Sequence, residues 1–173
     1  MKKQDSSENL VKKAYLAIGS NLGNKINNIE LTKLELEKYK IKILKSSSYY
    51  ISESWPDFTK PNYINVVIEV KTNLVPFDLL KVCNKIELNL GRVRKIINAP
   101  RTCDIDIIDY NQKILNEKNQ QLILPHPRLN QRNFVLLPLF EIEKSWKHPI
   151  SKINIVNLIN SLPVKDLRSI KKI

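Results

Sequence analysis

Asp104 and Asp106 stand two apart in the run Pro100-Arg101-Thr102-Cys103-Asp104-Ile105-Asp106-Ile107-Ile108-Asp109-Tyr110. In an extended strand, alternate side chains share a face, so the two carboxylates project together about 6.6 Å apart along the chain. Ile105 and Ile107 then turn to the opposite face and into a core. Two neighbouring carboxylates repel unless a positive group lies between them. Mg²⁺ suits that place: it is a hard cation, often held by one or two carboxylates plus substrate phosphates. Arg92, Arg94, Lys95 and Arg101 come just upstream. An acidic pair beside a basic loop has the composition of a phosphate–magnesium site. The bland alternative is a solvated strand face beside a solvated loop. Asp109 has the wrong parity to join the pair in a regular strand.

A second polar group lies in Leu124-Pro125-His126-Pro127-Arg128, followed by Arg132 and Phe134. Pro127 biases His126 away from helix, and a histidine with two arginines could grip phosphate. Asn65 interrupts the β-branched run Tyr63-Ile64-Asn65-Val66-Val67-Ile68-Glu69-Val70. An amide there either bonds locally or faces a ligand. Between Ser52 and Asn62, Trp55 and Phe58 sit among prolines and could line a flat pocket or form a satellite cluster. Asn84 and Glu87 are three apart in a predicted helix, and so neighbours on one surface.

The elements that must position these residues follow from pattern. Residues 14–18 read as a buried strand ending at Gly19, and 25–38 as a helix. Residues 41–51 read as a second strand and 63–70 as a third. Pro76 opens a helix that runs to Leu90 and closes at Gly91. Residues 102–110 form the acidic strand, with a short return strand at 114–115. Residues 129–142 read as a short helix or turn with Phe134, Val135, Leu136, Leu137, Leu139 and Phe140 buried, and 153–162 as an amphipathic segment. The order is the β-α-β-β-α-β of an α+β, ferredoxin-like core with additional C-terminal strands and helices. Helices are expected on one sheet face, leaving the other open for a site.

The chain has 173 residues, which fits one domain. Its expected divisions are a polar extension at 1–13, the domain at 14–162 and a basic tail at 163–173. Cys83 and Cys103 are the only cysteines and form no CxxC, so they read as reduced thiols in a cytoplasmic protein. No apolar run is long enough for a membrane span, and the first residues lack a signal-peptide core. The net charge is +12, from 29 Lys and Arg against 17 Asp and Glu. That excess is spread over helices, loops and ends and forms no arginine-rich stripe. It could help recruit a polyphosphate.

Taken in order, several motifs resemble the bacterial 2-amino-4-hydroxy-6-hydroxymethyldihydropteridine pyrophosphokinases. They are Tyr15-Leu16-Ala17-Ile18-Gly19-Ser20-Asn21-Leu22-Gly23, Tyr63-Ile64-Asn65, Gly91-Arg92-Val93-Arg94, Pro100-Arg101-Thr102-Cys103-Asp104-Ile105-Asp106, and Leu124-Pro125-His126-Pro127 with Arg132 and Phe134. The resemblance covers about Ala14 to Ile142. It implies transfer of the terminal diphosphate of ATP to the hydroxymethyl group of 6-hydroxymethyl-7,8-dihydropterin, in folate biosynthesis. It further implies two Mg²⁺ ions on Asp104 and Asp106. ATP contacts would come from Asn84, Glu87, Arg92, Arg94, Arg101, His126 and Arg132. The pterin would be held by Ser52, Tyr63, Asn65 and Phe134. Arg92 and Arg101 join the aspartates as the catalytic set. A monomer acting on small molecules, with neither nucleic acid nor membrane as partner, is expected, and the length leaves no room for a fused second folate enzyme.

The chain departs from the family pattern in three places. Ile97-Asn98-Ala99 stands where many members carry Trp-Gly before Pro-Arg-Thr, and Trp55 is the residue placed to compensate. Asn84 replaces a common glutamine, and the second loop lacks the usual Gly-Pro-x-x-Gln-Pro. The non-enzymatic alternative is a ferredoxin-like nucleic-acid-binding domain, which predicts exposed aromatics on the sheet.

Overall fold

The computed structural model describes residues 11–54, 57–92, 99–117 and 122–173. Trp55, Arg94 and Lys95 lie outside the described residues. The β-α-β-β-α-β order is present as β1 (Lys12–Ser20), α1 (Lys25–Lys38), β2 (Lys42–Ser46) with β3 (Tyr50–Ser52), β4 (Tyr63–Thr72), α2 (Pro76–Asn89) and β5 (Asp104–Tyr110). Asn24 caps α1 by accepting from the Asn27 N–H at 3.1 Å. Pro76 starts α2, and Gly91 at φ +86° lies just past its end, in the left-handed region that glycine enters without a Cβ penalty.

The main sheet has the antiparallel order β5-β1-β4-β3, with β2 beside β3 on the same edge of β4. The expected single strand at 41–51 is therefore broken at Ser47–Tyr49. The Ser46 and Ser47 hydroxyls donate to the backbone carbonyls of Ser47 and Ser48, and the Ser47 hydroxyl also accepts the Val67 N–H. Such local bonds compete with a regular ladder.

Alternation sorts β1 into two cores. Ala14, Leu16 and Ile18 pack with Ile29 and Leu36 of α1 and Leu79, Cys83 and Ile86 of α2. Tyr15 faces the other way, with Val67, Ile108 and the C-terminal helices. That second face is not left open, as the core pattern alone suggested. β6 (Leu115–Glu117) and β7 (Leu122–Leu124) form a separate hairpin. A 3-10 turn (Leu129–Gln131) and α3 (Asn133–Ile142) follow, then α4 (Ile155–Asn160). Val135, Leu136, Leu139, Ile155 and Leu158 cover the sheet at the Tyr15–Val67 level, while Phe134, Leu137 and Phe140 are only half-buried. Within the expected tail, α5 (Val164–Arg168) is followed by β8 (Lys171–Lys172), which pairs with β3.

The strand β5 is irregular where parity mattered. Leu16 pairs with Ile107 and Tyr15 with Asp109, so one residue of β5 is extra. The bulge turns Asp109 onto the same face as Asp104 and Asp106. There it is buried, accepting from Trp146 Nε1 at 2.9 Å and from the Gln112 N–H at 2.9 Å. Its bonds are structural.

Candidate active site

Register builds the site. Asp104 of β5, Gly19 of β1 and Asn65 of β4 are successive cross-strand partners, and Asp106 stands opposite Ala17. Cross-strand Cα atoms lie about 4.5–5.5 Å apart, so Asp104 and Asn65 are about 10 Å apart on either side of Gly19. A Cβ on Gly19 would sit 3.2 Å from Asn65 Oδ1 and 3.5 Å from the Tyr63 ring. A side chain at this position would press on Asn65 and Tyr63.

The carboxylates are partly exposed, with side chains 27% accessible at Asp104 and 35% at Asp106. Each is held by guanidinium groups. Arg92 donates to Asp104 Oδ1 at 2.5 Å, and Arg101 reaches Asp104 Oδ2 at 3.1 Å. Arg132 donates to Asp106 Oδ2 at 2.6 Å. Burial alone would lower the Arg92 pKa, but the charges of Asp104 and Glu87 outweigh it and hold the pKa above the ordinary arginine value.

Glu87 lies beneath this layer. Its carboxylate is buried, pairs with Arg92 and accepts the Ile105 N–H at 2.8 Å. It therefore acts on the site through Arg92 and the β5 backbone. The opposite end of the β5 edge is closed when the His126 N–H donates to the Ile108 carbonyl at 2.9 Å. His126 Nδ1 accepts the Arg128 N–H at 3.1 Å, which leaves its Nε2 facing Asp106 Oδ2 at 3.8 Å. Burial first, then the charges of Arg132 and Arg128, depress its pKa against the pull of Asp106. With Nδ1 an acceptor, the neutral form of the ring carries its proton on Nε2.

Across Gly19, the Asn65 amide donates to the Ser52 hydroxyl at 2.9 Å. Asn65 Oδ1 is turned toward Gly19 and Tyr63. The Tyr63 hydroxyl accepts from Arg101 Nε at 3.0 Å. Burial raises the Tyr63 pKa, while the Arg101 charge opposes that rise. Phe134, at the start of α3, carries the Arg132 guanidinium over its ring at 5.5 Å. Asn84 lies on α2, half-buried, one turn before Glu87.

A sequence model of the 7,8-dihydro-6-hydroxymethylpterin-pyrophosphokinase (HPPK) family matches residues 15–144. The chain belongs to this family. A Bacillus subtilis 2-amino-4-hydroxy-6-hydroxymethyldihydropteridine pyrophosphokinase is 38% identical over 130 residues, covering 75% of this chain and 77% of the relative. The folic acid synthesis protein fol1 of Pneumocystis carinii is 37% identical over 171 residues, covering 98% of this chain. The chain spans only 22% of the length of that larger protein. A Plasmodium falciparum HPPK-DHPS crystal structure with pterin and p-hydroxybenzoate superposes with a TM-score of 0.74 at 17% identity, covering 96% of this chain and 48% of that one. That likeness speaks for the fold. The ferredoxin-like core expected from the element order is the fold of this HPPK family member.

Among the predicted site residues, the fold gathers Arg92, Arg101, Asp104, Asp106, His126 and Arg132 on the β5 side. Ser52, Tyr63 and Asn65 gather on the β4 side, and Phe134 enters from α3. Two buried residues escaped the functional reading. One is Gly19, whose cross-strand place needs the register. The other is Asn21, whose partners come from two distant loops.

Proposed function

We propose that this chain transfers diphosphate from ATP to the hydroxymethyl group of 6-hydroxymethyl-7,8-dihydropterin. The observation that carries the reading is the Asp104–Gly19–Asn65 row. It sets an arginine-clamped acidic pair across β1 from an amide flanked by Ser52 and Tyr63. The names of the curated relatives support the same reaction.

The residues present fit Mg²⁺. Asp104 and Asp106 share a face and are partly exposed. Among the described residues, no larger cluster of His, Cys, Asp and Glu could hold a metal ion. A pair of this kind suits a cation that takes its remaining ligands from phosphate and water. When bound, two Mg²⁺ ions would supply charge neutralisation and alignment to the triphosphate.

In the reaction, the hydroxymethyl oxygen attacks the β-phosphorus and loses its proton. The bond from that phosphorus to the α,β-bridging oxygen breaks, and AMP leaves with the electron pair. The protein's task is positioning and electrostatics, with little covalent chemistry. Arg92, Arg101 and Arg132 exchange carboxylate for phosphate oxygens as ATP arrives, using bidentate-capable guanidiniums. His126 adds a neutral N–H donor beside Asp106. Asn65 offers its amide to the pterin edge, and Phe134 offers a stacking face. Glu87 steadies Arg92 from below. Asn84, Arg94 and Trp55 complete the ATP and pterin contacts that we propose, the latter two from outside the described residues.

The sheet face also bears on the nucleic-acid alternative. A base-stacking platform needs exposed aromatics, yet Tyr15 and Tyr50 are buried, and Tyr50 donates to Glu141 of α3 at 2.9 Å. This supports small molecules as the partners. Among the described residues, no helix is long and apolar enough to cross a membrane. Phosphorus NMR of the pterin product tests the reading: two coupled phosphorus signals are expected, and a single phosphomonoester signal would overturn it.

A further inference from the structure

Asn21 follows β1 and is 1% exposed, although it sits in a loop. Its backbone N–H donates to the Arg101 carbonyl at 3.1 Å, and its Oδ1 accepts the Arg101 N–H at 2.8 Å. Its Nδ2 donates to the Pro61 carbonyl at 3.2 Å and approaches the Ser54 hydroxyl at 3.4 Å. Ser54, itself buried, donates to the same Pro61 carbonyl at 2.6 Å. One amide thus joins three segments that share no strand pairing: the β1–α1 loop, the loop after β3, and the segment leading into β5. Buried backbone groups outside regular ladders need such partners.

What is joined is functional on both sides. Arg101 is held at its backbone, and its side chain bridges the Tyr63 hydroxyl and Asp104. Ser54 and Pro61 bracket the loop between Ser52 and Tyr63. We infer that Asn21 is a positioning residue that sets Arg101 and the pterin-side loop in register with one another. At 1% exposure its side chain is spent on these protein groups. The inference rests on the proposed diphosphate transfer, and it adds a residue to which the sequence motif gave no role.

The side chain's two halves act on different targets, which makes the idea separable. Asn21→Ala removes both. Asn21→Asp keeps an acceptor for the Arg101 N–H and loses the donor to Pro61. Ser54→Ala loosens only the loop side. Loss of a buried hydrogen bond to a functional group corresponds to about a ten- to hundredfold change. Asn21→Ala should therefore lower kcat by that order, whereas Ser54→Ala should raise the pterin KM and leave kcat near wild type. Asn21→Asp should recover most of kcat while keeping the raised pterin KM. Leu36→Val, in the helix-side core, serves as a control that lowers Tm without altering kcat.

The experiment is steady-state kinetics of the five proteins, with hydrogen exchange at the Arg101 amide measured in parallel. Faster exchange in Asn21→Ala with a kcat loss beyond that of Leu36→Val supports the inference. Wild-type kcat in Asn21→Ala, or unchanged exchange at Arg101, overturns it. Wild-type protein that makes no AMP would count against the proposed reaction. In that case the exchange result, with ATP and pterin binding measured separately, still decides the role of Asn21.

Discussion

Arg101 donates from Nε to the Tyr63 hydroxyl at 3.0 Å, while its NH1 lies 3.1 Å from Asp104 Oδ2. One guanidinium thus spans the aromatic on the β4 side and the carboxylate on the β5 side. Tyr63→Phe removes the acceptor and leaves the ring. Its expected effect is a kcat lower by about three- to tenfold, in line with one lost hydrogen bond to a charged group. ATP affinity should change little, since the Arg101 guanidinium stays in place to meet phosphate oxygens. Titration of ATP beside steady-state kinetics checks both parts.

Gly19 is the floor between the two halves. In Gly19→Ala the new methyl meets Asn65 Oδ1 at 3.2 Å, closer than ordinary packing. Asn65 must yield, and it is the amide proposed to meet the pterin edge. Pterin affinity should fall about tenfold, which is about 1.4 kcal/mol. ATP affinity should stay within about twofold of wild type on the same scale. Separate equilibrium titrations of the two substrates distinguish this from general damage.

Arg92 is held from below by Glu87 and points at Asp104. Lysine keeps the charge but cannot reproduce the planar fork. Arg92→Lys should reduce kcat by about ten- to a hundredfold, as for a lost electrostatic donor in a catalytic site. Glu87→Gln should give a smaller loss in the same parameter, because the amide still accepts from the Ile105 N–H. Parallel kinetics of the two variants and their double mutant measures the coupling.

These expectations show what periodicity could reveal. Alternation alone placed Asp104 and Asp106 on one face and Ile105 and Ile107 on the other. Pro76 and Gly91 marked the ends of one helix, because each end has a local chemical cause. Asp109 escaped because a bulge is set by pairing with β1, which parity cannot foresee. The serine run at 46–48 read as strand because the bond from the Val67 N–H to the Ser47 hydroxyl depends on where β4 lies. The second sheet face was expected to be open because α3 and α4 follow the core pattern and are recruited by Tyr15, Val67 and Ile108. Asn21 lay in a recognised motif, yet its partners are 40 and 80 residues away.

A stability effect should appear on mild acidification. His148 is buried against Trp146, and its Nδ1 faces the N–H groups of Ile150 and Ser151 at 3.3 and 3.2 Å. Burial lowers its pKa below 6.5, and Lys152 adds to this while Asp109 opposes it. The folded state thus disfavours the proton. Its stabilising contribution is present above the ordinary histidine pKa and is lost as pH falls through the depressed folded value. Tm should drop more steeply below about pH 6.5 in wild type than in His148→Asn. Thermal melts at stepped pH test this, and equal slopes in the two proteins would contradict it.

The central claim is that the Asp104–Asp106 pair serves pterin-dependent diphosphate transfer. AMP formation from ATP and Mg²⁺, with and without 6-hydroxymethyl-7,8-dihydropterin, tests it most directly when wild type is run beside Asp104→Ala. The account predicts AMP only when the pterin is present, and a loss of at least about a hundredfold in the variant. ADP in place of AMP, or AMP formation unaffected by Asp104→Ala, would contradict it.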